Sequence, residues 1–294
     1  MIRLAHFSDI HLTAPQLDWT LEDCFSKRVT SWLNLRLGRA QRFKRANEIV
    51  ACLMDELPGR GIDHLIFSGD ATALGFESEI RRASELLRID GSTIPGLAIP
   101  GNHDYCTRSA ALSGHFERYF DSWQQGRRIG THRYPFAQKI GPLWLIGVNA
   151  ATGNRWPWDA GGSVGPEQLE RLRQLLAGLP PAVKILVVHF PICLATGTRE
   201  SAHHGLRDLD ALLDIANAGG VSLWLHGHRH SPYYFQQPVG ADFPVICAGA
   251  ATQEGIWSCG EYAIDGRTLQ AVRRTYDPDG HCFRDAEMFA VQLR

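Results

Sequence analysis

The chain has 294 residues, 44% of them hydrophobic, enough for a large buried core, and α/β folds of this length are often one domain. A formal charge of −1 and an isoelectric point near 6.9 exclude a global field of the kind that drives nucleic-acid or polyanion binding, so any anion recognition has to be local. Seven cysteines, odd in number and without a Cys-x-x-Cys pair, exclude a disulfide framework and a cysteine zinc knuckle, and read as small core hydrophobes in a reducing compartment.

Residues 2–7 form an apolar run of strand length that ends in Ser8-Asp9-Ile10-His11. On an extended chain, positions two apart point the same way, so Asp9 and His11 are expected side by side at a strand's carboxyl end. The stretch before Asp9 is too short for a signal-peptide core, and no apolar run approaches ~18 residues, so a soluble cytoplasmic protein is expected, with room for peripheral membrane contact.

Residues 27–45 carry Lys27, Arg28, Arg36, Arg39, Arg42, Lys44 and Arg45 with no acidic residue, interleaved with Val29, Trp32, Leu33, Leu35 and Leu37. On a helical wheel the apolar residues form a broad arc that includes Arg36. Such a basic amphipathic insertion suits an anionic headgroup, a lipid-bearing phosphate substrate or a membrane surface. The plainer reading is a helix with one face on the domain and the other in water.

Residues 46–57 read as a helix stopped by Pro58-Gly59, and 62–67 as a strand closing at Ser68-Gly69-Asp70. A helix over 77–87 then leads to a short strand, 97–100, and to Gly101-Asn102-His103-Asp104. Strands at 133–140 and 143–148, joined at Gly141-Pro142, signal a hairpin and a second sheet. A turn-rich loop (153–162) with Trp156 and Trp158 could stack a base, hold an acyl chain or pack under its own glycines. Gly165-Pro166 opens a helix to 176, and the strand 184–188 ends in His189. A helix at 208–216 and a strand at 222–225 precede His226-Gly227-His228-Arg229-His230. Four short strands after 245 read as a β-rich C-terminal extension (245–294). No repeat or linker divides the chain, so residues 1–294 are expected to be one domain.

Asp9, His11, Asp70, Asn102, His189, His228 and His230 are all oxygen or nitrogen donors at strand ends. Seven such groups exceed what one ion needs and suit two, especially if a carboxylate bridges. Two divalent ions ~3.5–4 Å apart clamp the attacking and leaving oxygens of an in-line displacement at phosphorus, and a water they share becomes a hydroxide nucleophile near neutral pH. His103, next to Asn102 and facing the other way on an extended chain, is better placed as the acid for the departing oxygen or as a cation stabilising the pentavalent phosphorus. Asp104 would accept its other N–H.

Taken in order, Asp9-x-His11, Gly69-Asp70, Gly101-Asn-His-Asp104, His189 and Gly227-His-x-His230 resemble the motifs of the calcineurin-like metallophosphoesterases. The resemblance implies a four-layer α/β/β/α sandwich of two mixed sheets flanked by helices, with a dinuclear metal site at the sheet edges. It implies that one ion takes Asp9, His11, bridging Asp70 and His230. The other takes Asp70, Asn102, His189 and His228. His103 becomes the proton donor, oriented by Asp104. Donors of this kind favour manganese, with iron or zinc as alternatives.

The expected activity is hydrolysis of a phosphodiester or pyrophosphate in a small-molecule or lipid-linked substrate. His226 to Pro232 and the basic segment are similar to features of bacterial UDP-2,3-diacylglucosamine pyrophosphatases of lipid A synthesis, although those with a Gly-Asn-Arg-Asp signature differ at His103. A cyclic-nucleotide phosphodiesterase and a DNA nuclease are the other enzymatic readings, and near-neutral charge disfavours the nuclease. A non-enzymatic scaffold fits least, because every ligand position is intact.

Overall fold

A computed structural model describes residues 1–294. Strands β1 (Ile2–Phe7), β2 (His64–Phe67) and β3 (Gly96–Ala98) pair in parallel. Between β1 and β2 lie helices α1 (Lys27–Asn34), α2 (Ala40–Arg42) and α3 (Ala46–Glu56). Helix α4 (Glu77–Leu86) returns the chain to β3, and α5 (Arg108–Ser113) and α6 (His115–Tyr119) follow it. Then come β4 (Arg127–Arg128), β5 (Phe136–Ile140), β6 (Leu143–Val148), α7 (Pro166–Gly178), β7 (Val183–Val188), α8 (Leu209–Ala218), β8 (Leu223–His226), β9 (Tyr233–Phe235) and β10 (Val245–Cys247). Three long strands, β11 (Ser258–Asp265), β12 (Thr268–Asp277) and β13 (Cys282–Gln292), end the chain.

Two mixed sheets result, ordered β13-β12-β11-β1-β2-β3 and β4-β5-β6-β7-β8-β10-β9. The central strands β2, β3, β6, β7, β8 and β10 read as mostly apolar runs because both of their faces are covered, whereas β12 and β13 keep polar residues on an exposed face. In β7, Ile185 and Val187 face the opposite sheet, while Leu186 and Val188 face helices. The same alternation puts Leu4 and Ile66 between the sheets and Ala5, Phe7, Leu65 and Phe67 against α3 and α4. Helices α7 and α8 cover the other side, which gives the expected α/β/β/α order of layers.

The hairpin at Gly141-Pro142 forms as read, β5 pairing antiparallel with β6. The C-terminal strands are not an appendage: β11 pairs directly with β1, which makes them half of the first sheet. Helices α5 and α6 went unread in the sequence, since Arg108–Ser113 is short, small and polar. Of the seven free cysteines, four are buried, but Cys24 is exposed and is no core residue. No helix is long and apolar enough to cross a membrane.

Candidate metal centre

All seven sequence-derived ligands, with His103, gather at the carboxyl ends of β1, β2, β3, β7 and β8. The route differs from the one expected. Asp9 and His11 do not extend β1; both adopt left-handed backbone conformations, as do Asp70, His228 and His230. A non-glycine residue in that region is uncommon, and five of the eight in this chain are candidate ligands. The loops are held in register by backbone bonds from Asp9 N–H to Gly69 (2.9 Å) and from His11 N–H to Asp70 (3.1 Å). Two motif glycines have a steric reason: a Cβ on Gly101 would lie 2.2 Å from Asp70 Oδ1, and one on Gly227 2.3 Å from Asp9 Oδ2.

Each carboxylate has one oxygen fixed and one bare. Asp70 Oδ1 accepts the His103 backbone N–H (2.7 Å) and Asp9 Oδ2 that of His228 (2.9 Å). Asp9 Oδ1 is buried with no hydrogen-bond partner. It lies 3.4 Å from His230 Nε2 and 3.7 Å from His11 Nε2. Asp70 Oδ2 stands 3.7 Å from His11 Nε2 and 3.4 Å from His189 Nε2, so it adjoins one imidazole from each of the two expected ligand sets and could serve both ions. Asn102 Oδ1 lies 3.2 Å from His189 Nε2 and 2.9 Å from His228 Nδ1.

The imidazoles are prepared in the same sense. Nδ1–H of His189 donates to the Ser68 carbonyl (2.8 Å), that of His11 to Thr72 (3.2 Å), and that of His230 to Gln253 Oε1. Their Nε2 lone pairs are thereby turned inward. The Nε2 atoms of His11 and His230 face each other at 3.1 Å, a repulsive arrangement unless positive charge sits between them. Bare carboxylate oxygens and inward lone pairs gather in overlapping groups, Asp9 with His11 and His230, Asp70 with His11 and His103, and Asp9 with Asp70 and His189, each with its donor atoms within 4.8 Å of one another. The donor set fits a pair of divalent cations. Burial raises the proton affinity of Asp9 and Asp70, but the surrounding imidazoles outweigh it and hold both carboxyls well below the usual range. Of the remaining histidines, His226 is buried, with Nδ1 on the Gly227 carbonyl, and joins none of the donor groups that could hold an ion.

Two expectations about the Asn-His-Asp stretch need correction. Asn102 and His103 lie in a turn, so they do not face opposite ways; His103 joins the cluster of His11 and Asp70. Asp104 does not orient it either. The His103 Nδ1–H donates to the Ala73 carbonyl at 2.8 Å. Asp104 instead accepts the backbone N–H groups of Ala71, Thr72 and Gly101 and the Thr72 hydroxyl, at 2.9 to 3.2 Å. It clamps the two ligand loops together. Asp104→Ala should therefore lower stability by about 3 kcal/mol or more in urea unfolding, because buried N–H groups lose their acceptor.

Sequence reading missed Gln253, behind His230, and the partner that Arg39 finds. Arg39 Nη2 donates to His103 Nε2 at 3.0 Å. Burial, and then the charge of Arg39, hold the His103 imidazole well below its ordinary range, so Nε2 carries a lone pair here. Segment 27–45 explains how Arg39 gets there. Helix α1 lies over the ligand loops, with Trp32 and Leu35 packed on Ala73, Leu74 and Phe76 and Arg28 donating to the carbonyls of Leu74 and Gly75. A wide turn then breaks at Gly38 (φ 148°) and delivers Arg39 to the site. The apolar arc is split: Leu33 and Leu37 are exposed, as are Phe25 and the mutually stacked Trp156 and Trp158.

Fold and site together define a dinuclear metallohydrolase. The model of the calcineurin-like phosphoesterases matches residues 2–232, and the chain belongs to that family: it is a metal-dependent phosphoric ester hydrolase. In structure it is similar to a dimetal phosphatase from Danio rerio (TM-score 0.68, 12% identity, 100% of this chain and 99% of that one). It is also similar to a purple acid phosphatase from yellow lupin, Lupinus luteus (0.59, 14%, 99% and 53%). A third likeness is to GAP50, the anchor in the inner membrane complex of Plasmodium (0.55, 10%, 100% and 89%). At these identities the likenesses speak for the fold alone. No protein of curated function matches the chain in sequence.

Proposed function

We propose that the protein hydrolyses a phosphodiester or pyrophosphate bond by in-line displacement, with two manganese ions as its native metals. The observation that carries this reading is the pair of bare oxygens, Asp9 Oδ1 and Asp70 Oδ2, ringed by inward-turned imidazole nitrogens, with the His103–Arg39 couple beside them. When bound, two divalent ions would supply a nucleophilic hydroxide at neutral pH and draw charge from the phosphoryl oxygens. The chain's own residues do the rest. Asp9, His11, Asp70 and His230 would hold one ion, and Asp70, Asn102, His189 and His228 the other. Arg39 meets the anionic phosphoryl group, and this releases His103 Nε2. The imidazole, now beside a phosphate, takes up a proton at Nε2 and hands it to the departing oxygen. The Ala73 carbonyl keeps the ring oriented throughout.

Purified protein with Mn²⁺ should cleave bis-p-nitrophenyl phosphate. A panel of cyclic nucleotides, UDP-2,3-diacylglucosamine, single-stranded DNA and phosphomonoesters then identifies the class. Inertness to every member, with no bound metal, would refute the reading and leave a scaffold.

Within that class, a lipid-linked substrate such as UDP-2,3-diacylglucosamine, met at a membrane surface, is favoured by the exposed apolar side chains of the basic segment. Leu37 is 84% exposed and Leu33 44%, on a stretch whose charges are all positive from 27 to 45. Leu33→Ser with Leu37→Ser should reduce cosedimentation with phosphatidylglycerol vesicles by roughly tenfold, the scale of losing two partly buried leucines. Unchanged sedimentation would remove membrane contact from the reading.

A further inference from the structure

The basic residues of segment 27–45 are not equivalent once each is traced to its partner. Arg28 pairs with Asp23, Arg45 with Glu48 and Lys44 with Glu254, and Lys27 donates to the Asp159 carbonyl. Arg36 lies over the Trp32 ring, 5.3 Å from its centre. Arg39 and Arg42 make no ion pair, and both line one cleft, a cavity of about 790 Å³ that opens beside His230. His204 and Arg229 line its other side, and no carboxylate belongs to its wall. Glu200, at 2.8 Å from Arg229, offsets only one of the three guanidinium charges. Phe43, edge-on to His11 and His230, lines the cleft together with His230, so the cleft adjoins an expected metal ligand directly.

A half-buried guanidinium whose only hydrogen-bonded partner is a neutral imidazole is short of an anion. One phosphoryl group over the metals would engage Arg39 and leave Arg42 and Arg229 facing an empty, positively charged space. We infer that this cleft is a second anion subsite, and that the natural substrate carries a second phosphoryl group next to the one attacked: a diphosphate-bridged ester rather than a singly charged diester. The inference rests on the hydrolase reading above and narrows it. It accounts for the charge on both sides of the cleft, since two adjacent phosphoryl groups can bridge from Arg39 to Arg42 and Arg229 through charge-assisted hydrogen bonds.

The test compares UDP-glucose, which has two phosphoryl charges, with bis-p-nitrophenyl phosphate, which has one, in the full-length protein with Mn²⁺. UDP-glucose is followed as a substrate or, if it is not cleaved, as a competitor of the aryl diester. For Arg42→Glu, the affinity for UDP-glucose relative to the aryl diester should fall about 10- to 100-fold, the scale of a lost charged hydrogen bond. Arg42→Ala should show a smaller loss of the same kind. Lys44→Glu makes the same charge change on the same segment outside the cleft and should leave the ratio at the wild-type value. An equal effect on both compounds, or none on either, would overturn the subsite while leaving the hydrolase intact. Wild-type protein inert towards both would instead overturn the hydrolase reading beneath it.

Discussion

Asp70→Asn yields a folded protein that binds metal poorly and loses roughly 10³-fold or more of its hydrolytic rate, the scale set by losing a clamp that serves both ions. Asp70 Oδ1 is committed to the His103 backbone N–H, and only Oδ2 faces His11 and His189. An amide can place its oxygen on one of these duties and must place an NH₂ on the other. If the NH₂ faces the metal site, two donors point at a centre meant for cations; if it faces His103, two N–H groups collide. Either way the negative charge that attracts both ions is gone. Metal content by plasma emission spectrometry should drop from two ions per chain, and no leaving group should rescue the rate. Retention of two ions with high activity would remove Asp70 from the bridging role.

His103→Ala separates from this cleanly. The ring is not expected among the ligands, so the variant should keep both ions and its melting behaviour while losing about 10²- to 10⁴-fold in rate, the usual contribution of a general acid. The deficit should shrink as the leaving group improves, because a p-nitrophenolate departs without a proton and an alkoxide does not. Arg39 sharpens the expectation. Its N–H donates to His103 Nε2, so the pair acts as one unit, and Arg39→Ala should share part of the loss. A leaving-group dependence in the variant no different from the wild type's would show that His103 stabilises charge and does not transfer a proton.

The layers and the gathering of the seven candidate ligands were readable in advance for one reason: the central parallel strands are mostly apolar, and their carboxyl ends show as abrupt polar clusters such as His189 after Val188. The path to the ligands was not readable. Asp9 and His11 were expected side by side on an extended strand, and they do converge, but through left-handed turns that depend on backbone bonds to Gly69 and Asp70. The role given to Asp104 failed because its true partners are backbone N–H groups. The group that does orient His103, the Ala73 carbonyl, is invisible in a sequence for the same reason. Gln253 lies 23 positions beyond His230 with no pattern to mark it. Arg39 was visible only as one cation in a run; Gly38 and its unusual turn decide which cation enters the site.

The left-handed turns at Asp9, His11, Asp70, His228 and His230 have an evolutionary corollary. Each costs on the order of 1 kcal/mol against an ordinary conformation, and β-branched side chains tolerate it least. Single drifts to valine or isoleucine, which elsewhere let a disused polar site fade into hydrophobic interior, are therefore closed at these positions. Descendants that abandon catalysis would have to rebuild whole loops, and until they do, the vestige of the centre should stay legible in their backbone.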